Sequence, residues 1–568
     1  MLKVEKVMEL AFRRGFLWPS YEIYGGVSGF YDYGPLGATL KKRLEDKWRE
    51  YYCIKEGYLE IFSPAVSPEE VFIASGHVKS FVDPLVECLK CNEVYRADVF
   101  LKDVLKIQTD GLSFEELEDL IKNNNVKCSS CKGPLGEVYS YNLMFKTHIG
   151  TGNKKIGYLR PETAQGMFLQ YNRLYEFYRK KLPFGVAQLG KAYRNEISPR
   201  QGVVRLREFN QAEVEIFVNP KEKTHPNFPE IADTKIFLVP QKIEPTNIKA
   251  KDAVEKKIVA HELLTYQLVL VKNFLLDVGI KEDNIRFRQH LKTEMAHYAA
   301  DCWDAEVHTK RFGWIEVVGI ADRTNYDLTS HMELSKADLT AFIQFDKSEK
   351  KIENKFQLDM GKIGPKYKNL SEEISKTVEK LGQNEMSFFR KHGYVEVQIS
   401  KKKIRLTQQE IRLHSEEKTV SGEKIIPHVI EPSFGIDRII YCVLESAYCE
   451  EGERHYLSLK KYLAPVQVAI FPLVSKDNLP QIAFKIFEDL RKAGVATTYD
   501  EEGSIGRRYA RVDEIGVPYV VTVDFKSQKN SVTIRERDST VQIRVKKDKL
   551  RKTLVGLLNG SLKFQNLV

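Results

Sequence analysis

The stretch 184–218, FGVAQLGKAYRNEISPRQGVVRLREFNQAEVEIFV, limits the possible fold more than any other in the chain. Its two halves alternate branched or aromatic residues with polar ones, the period of two that marks a strand. The connection, Ile197 to Val203, carries Ser, Pro, Arg and Gly, which suit an irregular turn. A long hairpin is therefore predicted. Successive side chains of a strand point to opposite faces. On the second strand this puts Arg205, Arg207, Phe209, Gln211, Glu213 and Glu215 on one face and Val204, Leu206, Ala212, Val214 and Ile216 on the other. On the first strand, Arg194 and Glu196 share a face with Gln188 and Gly190. Such a front has two explanations. It is a solvated face crossed by cross-strand ion pairs, or it is a floor for a ligand with a phosphate, a flat ring and an amine. Guanidinium pairs with phosphate oxygens, Phe offers a stacking surface, and carboxylates hold an ammonium.

At 568 residues the chain exceeds what one core supports, so two to four domains are expected. With 42% hydrophobic and 29% charged residues it suits a soluble globular protein. No apolar run is long enough to span a bilayer, and the charged start, Met1 to Arg14, is amphipathic rather than a secretory signal. A membrane role is thus not expected, and the setting is cytoplasmic. The net charge of +10 allows an anionic partner. Four of the eight cysteines form two pairs, Cys88/Cys91 and Cys128/Cys131. In a reducing compartment that spacing points to metal rather than disulfides, and two such knuckles complete four-sulfur zinc coordination. Four reduced thiols without an ion are the alternative. A zinc held by four protein ligands has a structural role.

In chain order, a short helix is expected at Met1 to Leu17, followed by a Gly-rich loop, Gly25 to Gly37, with no phosphate-loop pattern. Leu36, Leu40, Leu44 and Trp48 recur every four residues along a helix from Leu36 to Tyr52, either as core or as a subunit interface. A strand, Tyr58 to Ser63, stops at Pro64. The loop Ser75 to Phe81 contains His77, which is more often structural or solvated than catalytic in such a place. Ser113 with Glu115 and Glu116 opens a capped helix to Asn123. At Arg160-Pro161-Glu162 a strand gives way to a helix, so Glu162 either caps that helix or points into a cleft. Val254 to Val278 is a long amphipathic helix. Phe312 to Asp327 is a strand and a tight turn that supply Glu316 and Arg323, a surface pair or two site residues. Ile425 to Leu444 is a strand, a Pro-Ser turn and a helix, with Gly435 at the helix start and Arg438 in its first turn, where free N–H groups favour anions. From Val466 onward strands and helices alternate, which predicts a small mixed α/β domain. Lys526, Lys529, Arg535 and Arg537 lie beside it and make nucleic acid a reasonable partner.

The segment from the long helix to Pro64, the Arg194-Asn195-Glu196 hairpin and the Gly435-Ile436-Asp437-Arg438 helix start resemble, in order, the three signature motifs of class II aminoacyl-tRNA synthetases. More narrowly, Arg160 to Gly166 (RPETAQG), Arg194 to Arg200 (RNEISPR) and Glu431-Pro432-Ser433-Phe434-Gly435 resemble the homodimeric glycyl-tRNA synthetases of archaea and eukaryotes. The resemblance covers nearly the whole chain. It implies an α+β fold: a class II antiparallel sheet with flanking helices, the first-motif helix at a dimer interface, and a C-terminal mixed α/β anticodon-binding domain. It also implies ATP, magnesium, glycine and tRNA(Gly) as partners. By the same resemblance Arg194, Arg323 and Arg438 are catalytic. Arg194 would bind the α-phosphate and the glycine carboxylate, and Arg323 either of the two. Arg205 and Arg438 would hold the outer phosphates. Glu196 and the backbone at Val204 would take the adenine amino group, with Phe209 under the ring. Asn195, Val317, Gly435, Ile436 and Asp437 complete the nucleotide site, and Glu316 would ligate magnesium. Glu162, Glu213 and Glu431 would surround the glycine ammonium, with Gln211 beside them. Ser433 would fill the space of a side chain, and Arg96 would contact the substrate too.

The domain boundaries expected are a first catalytic part at 1–87, the knuckle subdomain at 88–141, and the core hairpin at 142–218. They continue with further catalytic strands at 219–345, a charged inserted subdomain at 346–424, the last catalytic strand and helix at 425–461, and the anticodon-binding domain at 462–568. A sister synthetase for proline, threonine or histidine is opposed by the pairing of Glu431 with Ser433 and by RPETAQG. A non-catalytic nucleic-acid-binding relative need not keep Arg194, Glu196, Phe209 and Arg438 together.

Overall fold

The structure is a computed structural model, and it describes every residue except 1, 2, 110, 153, 154, 198, 200, 201, 292–298, 400 and 401. Of the residues singled out above, Met1, Ser198, Arg200, Gln201 and the side chain of Lys529 lie outside the described set.

Among the described residues the main sheet has nine strands: β1 (Leu59–Glu60), β2 (Phe184–Tyr193), β3 (Glu208–Val218), β4 (Lys235–Val239), β5 (Thr246–Lys249), β6 (Ile285–Gln289), β7 (Asp301–Thr309), β8 (Gly313–Thr324) and β9 (His428–Gly435). Across the sheet they run β5-β4-β6-β7-β8-β9-β3-β2-β1, antiparallel apart from the β4/β6 and β1/β2 pairs. The predicted hairpin is β2 and β3, in register from Phe184↔Phe217 to Tyr193↔Glu208. Its second strand starts later than the alternation suggested. Residues Gly202–Val204 form a 3₁₀ turn, and Arg207 leaves the ladder: its N–H donates to Gly29 O at 2.9 Å and its Nε to Glu196 O at 3.0 Å. β1 is also short, since Pro64 has no N–H to extend it, although Ile61 N–H still donates to Ala187 O at 2.9 Å.

Three helices cover the apolar back of this sheet: α1 (Pro35–Arg49), α2 (Glu262–Asp277) and α3 (Ile436–Ala447). Leu40, Leu44 and Trp48 of α1 are fully buried in the main core, so the four-residue stripe packs within the chain. The Trp48 and Phe274 rings both meet Phe434 of β9 edge-on, with centroids 6.1 and 5.4 Å apart. Each large apolar side chain so buried contributes roughly 1.5–3 kcal/mol. With the back sealed, the front is the side open to chemistry.

Strands at Val82–Cys88, Val94–Arg96 and Leu135–Asn142 form a small sheet around the cysteine pairs, packed on helices Ala97–Leu105 and Phe114–Asn123 through Val86, Phe100, Leu101 and Leu117. The second helix has the expected cap: Ser113 Oγ accepts from Glu116 N–H while Glu116 accepts from Ser113 N–H. Near the C-terminus, strands Val468–Pro472, Thr497–Tyr499 and Tyr519–Val523 are parallel, and Ser531–Glu536 and Gln542–Lys546 continue antiparallel. A final helix, Lys547–Leu558, was not anticipated, although Leu550, Leu554 and Leu557 give it a buried face. Two of the four basic residues proposed for nucleic acid face inward there. Arg535 pairs with Asp513 at 2.9 Å, and Arg537 donates to Gly516 O at 2.8 Å and Leu459 O at 3.0 Å. Lys526 and Arg507 remain exposed.

Thr340–Ile425 is a separate compact unit. Two long strands, Ala341–Leu358 and Ile411–Ile425, pair with each other, and a hairpin of Tyr394–Ile399 with Lys402–Thr407 packs on three helices through Ile374, Phe389, Val397 and Leu406. The sequence from Ser371 to Leu381 predicts one helix stopped by Gly382; the helix ends at Val378, and Gly382 caps the start of the next, Gln383–His392. Among the described residues no helix is long and apolar enough to cross a membrane.

Candidate active site

Strand register carries the site across four strands. Gln188 pairs with Glu213, Glu213 with Ser433, and Ser433 with Gly319, so these residues share the front face. Gly190 sits beside this row for a steric reason: a Cβ there would lie 2.1 Å from the guanidinium of Arg160. Arg160 uses that space to donate to Lys191 O at 2.8 Å and Ser63 O at 3.0 Å, which locks the 160–166 segment onto the hairpin.

One end of the front is a cleft with about 630 Å³ of empty space, bordered by Arg194, Glu196, Val204, Arg205, Phe209, Glu316, Val317, Gly435 and Arg438. The Arg194 guanidinium lies between two rings, 5.3 Å from the centroid of Phe81 and 5.3 Å from that of Phe209. Stacking of this kind fixes the plane of a guanidinium and leaves its edge for an anion. Arg205 pairs with Glu196 through Nε and Nη2 at 2.7 and 2.6 Å. Arg438 donates to Val204 O at 3.0 Å and lies 3.1 Å from Glu316 Oε2. Burial would raise the carboxyl of Glu316, but Arg438, with Arg194 and His290 adding to it, holds it below its ordinary pKa.

Asn195 and Asp437 act mainly as ties. Asn195 N–H donates to Leu143 O at 2.7 Å and its amide to Tyr141. Asp437 is buried and accepts from the Tyr33 hydroxyl, from Asn210 N–H and from the Asn210 amide at 2.9 Å, which anchors the start of α3 to β3. The Ile436 side chain lies in the core. This pinning sets the α3 N-terminus and Arg438 at the cleft.

At the other end, carboxylates converge on one buried arginine. Arg323 is 1% exposed. It makes two bonds to Asp327, at 2.8 and 3.0 Å, and two from Nη1 to Glu431, at 3.0 and 3.1 Å; Glu162 Oε1 is 3.6 Å away. Glu213 accepts from Thr163 N–H at 2.7 Å and from Ser433 Oγ at 2.7 Å, and Gln211 donates to both Glu213 and Ser433. Burial raises Glu431, with Arg323 opposing it and Glu213 and Glu162 adding to it, so its carboxyl is pushed up to about 7. Burial and the nearby Glu162 also raise Glu213. Burial would raise Glu162 as well, but His77 and Arg323 bring it well below the carboxylate range. A pocket with several acids, one guanidinium and a lining hydroxyl suits a small cation.

Arg194, Glu196, Val204, Arg205, Phe209, Gln211, Glu316, Val317, Ser433, Gly435, Asp437 and Arg438 therefore border one cleft, with Glu162, Glu213 and Glu431 gathered about Arg323. Two residues are placed differently from expectation. Arg323 is enclosed among acids, where it serves as their counter-charge. Arg96 lies 2.8 Å from Asp98 and 3.3 Å from Asp83, in a hollow it shares with Arg205 and Ile197. Sequence reasoning passed over Asp327, Gln165, Thr163 and Phe81. Asp327 stands four residues after Arg323, but Arg323 lies at the end of β8 and Asp327 in the first turn of the helix Tyr326–Ser335, so no helical spacing announces the pair. Thr163 and Phe81 belong to loops, and Gln165 opens the five-residue helix Gln165–Leu169, too short to carry a periodic signal.

The Sγ atoms of Cys88 and Cys131 are 3.5 Å apart, those of Cys91 and Cys128 3.6 Å apart, and all four lie within 4.8 Å of one another. Zinc–sulfur bonds of ~2.3 Å in a tetrahedron require sulfur separations of about 3.8 Å, so the cluster fits that ion. His290, Cys302 and Asp304 also lie close together, but Arg288 already donates to Asp304 at 3.1 Å.

Residues 145–447 match the tRNA synthetase class II core domain (G, H, P, S and T), and residues 467–557 match an anticodon binding domain. A glycine–tRNA ligase of Methanocaldococcus jannaschii is 50% identical over 562 residues, spanning 96% of this chain and 97% of that protein. One from Pyrococcus abyssi is 50% identical over 566 residues (98% and 99%), and one from Methanothrix thermoacetophila 47% identical over 573 residues (99% and 98%).

Proposed function

The chain belongs to the class II tRNA synthetases and, within them, to the glycine–tRNA ligases, and from that membership we propose how its residues divide the work. It is an ATP-dependent ligase that activates glycine as the adenylate, releasing pyrophosphate, and then transfers glycine to the 3′ end of its tRNA. In the first step a glycine carboxylate oxygen attacks the α-phosphorus as the bond to pyrophosphate breaks. In the second a terminal ribose hydroxyl attacks the acyl carbon, AMP leaves, and the hydroxyl proton goes to the AMP phosphate or to solvent. Substrates supply both nucleophiles, so catalysis is positioning plus charge stabilisation.

The observation that carries the residue assignment is the convergence of Glu162, Glu213 and Glu431 beside a cleft edged by Arg194 and Arg438. We assign the glycine ammonium to the three acids, with Ser433 and Gln211 closing the space a side chain would need. Arg194 takes the α-phosphate and the carboxylate, Arg205 and Arg438 the outer phosphates, and Phe209 the adenine face, with Glu196 at its amino group. Arg323 holds the acids in place. Magnesium would be held by Glu316 and would neutralise phosphate charge when bound. The four cysteines would hold one structural zinc.

tRNA(Gly) is the macromolecular partner, with the C-terminal domain on its anticodon. We assign a homodimer on the strength of apolar side chains left uncovered in a single chain, Ile23, Tyr24, Ile54 and Phe62, each at least 74% exposed. The metal-type spacing of Cys88/Cys91 and Cys128/Cys131 supports a cytoplasmic setting. Amino-acid-dependent pyrophosphate exchange, run over all standard amino acids with and without magnesium, tests the reading. Glycine alone should support exchange, and only with magnesium. Exchange driven by proline, threonine or histidine in its place would reject it.

A further inference from the structure

The segment Ser75–Phe81, expected as a loop, holds one helical turn, His77–Ser80; it lies outside the three signature segments, yet it touches both ends of the site. Phe81 is one of the two rings on Arg194. His77 Nε2 lies 3.6 Å from Glu162 Oε2, and its Nδ1 lies 2.8 Å from Ser75 Oγ, itself 2% exposed. The ring is held on its flanks by Phe72, edge-on at 6.0 Å, and Phe81, tilted at 5.5 Å. The backbone is fixed as well: the Asn142 amide donates to His77 O at 3.1 Å and Val78 O at 3.0 Å, and Gly76 takes φ +82° to start the turn. An imidazole this constrained has one direction in which to act.

We propose that His77, oriented by Ser75, is a positioning residue that keeps Glu162 aimed at the substrate ammonium. It rests on the assignment of Glu162 to that ammonium. The carboxylate is held from both sides. Gln165 Nε2 donates to Oε1 at 2.8 Å, and the same Gln165 is fixed by His331 at 2.9 Å and Asp327 at 3.2 Å. His77 faces Oε2. A buried carboxylate with one oxygen tied turns about that bond; an imidazole 3.6 Å from the other oxygen limits the turn. The charged groups around it are Arg323, Asp327, Glu213 and Glu431. Three of these four groups are acids, so a lone Glu162 would be pushed towards its neutral form, and His77 opposes that. The lowered pKa of Glu162 agrees with this role.

The test is steady-state pyrophosphate exchange on the full-length protein, with thermal unfolding as the folding control. His77→Ala should raise the glycine KM about fivefold, the scale of one lost close contact to a buried charged group, with ATP KM and kcat changed by no more than about twofold. His77→Gln keeps a side-chain N–H and should recover much of the loss, and Ser75→Ala should show a smaller rise in the same parameter. In a Glu162→Gln background, His77→Ala should add less than about twofold, since the group it positions is gone. A normal glycine KM in His77→Ala, a parallel rise in both KM values, or an undiminished effect in the Glu162→Gln background would each overturn the proposal. A wild-type protein inert towards glycine would instead overturn the functional reading beneath it.

Discussion

Arg323 Nη1 lies 3.0 and 3.1 Å from the two carboxylate oxygens of Glu431 while the rest of its guanidinium grips Asp327, so one fully buried side chain ties two acids that are 104 positions apart in sequence (431 − 327). The arrangement makes β8 and β9 one electrostatic unit at the glycine end. Removing the arginine strands two buried carboxylates. Arg323→Gln should cost about 3–5 kcal/mol of stability, read as a lowered midpoint in denaturant, and abolish glycine activation. A variant that folds as well as wild type would contradict that role.

Glu431 makes the glycine site sensitive to pH. Its carboxyl is pushed up to about 7 by burial and by Glu213 and Glu162, against Arg323. The substrate ammonium favours the ionised form, so binding should release a proton and glycine affinity should rise with pH. Below about 7 the glycine kcat/KM should fall as pH drops, approaching tenfold per unit. The profile of Glu431→Gln should lack that limb and sit well below the wild-type plateau. An identical limb in the variant would assign the titration to another group.

Ser433 sets the size of the pocket. Its Oγ donates to Glu213 at 2.7 Å and accepts from Gln211 at 2.9 Å, so the hydroxymethyl group fills space and fixes two neighbours. Ser433→Gly should permit measurable alanine-dependent exchange and raise the KM for glycine, because rejecting a larger substrate depends on a filled, rigid pocket. Background alanine activity beside surviving glycine activity would remove Ser433 as the gate.

The cysteine cluster should bind one zinc per chain by elemental analysis of protein purified without chelator. Cys128→Ser should lower the zinc content and the unfolding temperature, since closed four-sulfur sites contribute directly to folding. Zinc-free protein with unchanged stability would leave four plain thiols.

The hairpin, the back of the sheet and the stripe of α1 were legible in the sequence because each repeats a period that burial enforces: Ala212, Val214 and Ile216 on one face, Leu40, Leu44 and Trp48 on another. The capped helix after Ser113 was legible for a similar local reason. What alternation could not register was partners from distant segments. Arg205 and Arg207 continue the pattern on paper, yet Arg207 bonds to Gly29, and the chain has turned before it. Arg323 had the residue type of a phosphate binder, but Asp327 and Glu431 enclose it. Arg535 and Arg537 carried charge but no sign that Asp513 and backbone carbonyls would claim it. His77 reaches Glu162 across 85 positions (162 − 77), with no local signal in its loop.

The most direct measurement is a crystal structure of the protein with a non-hydrolysable sulfamoyl analogue of glycyl adenylate, supported by calorimetric binding of the same compound. The account predicts the ammonium within hydrogen-bonding distance of at least two of Glu162, Glu213 and Glu431, the linker at Arg194, and the adenine against Phe209. An ammonium pointing away from all three acids, with the base elsewhere than on Phe209, would contradict it.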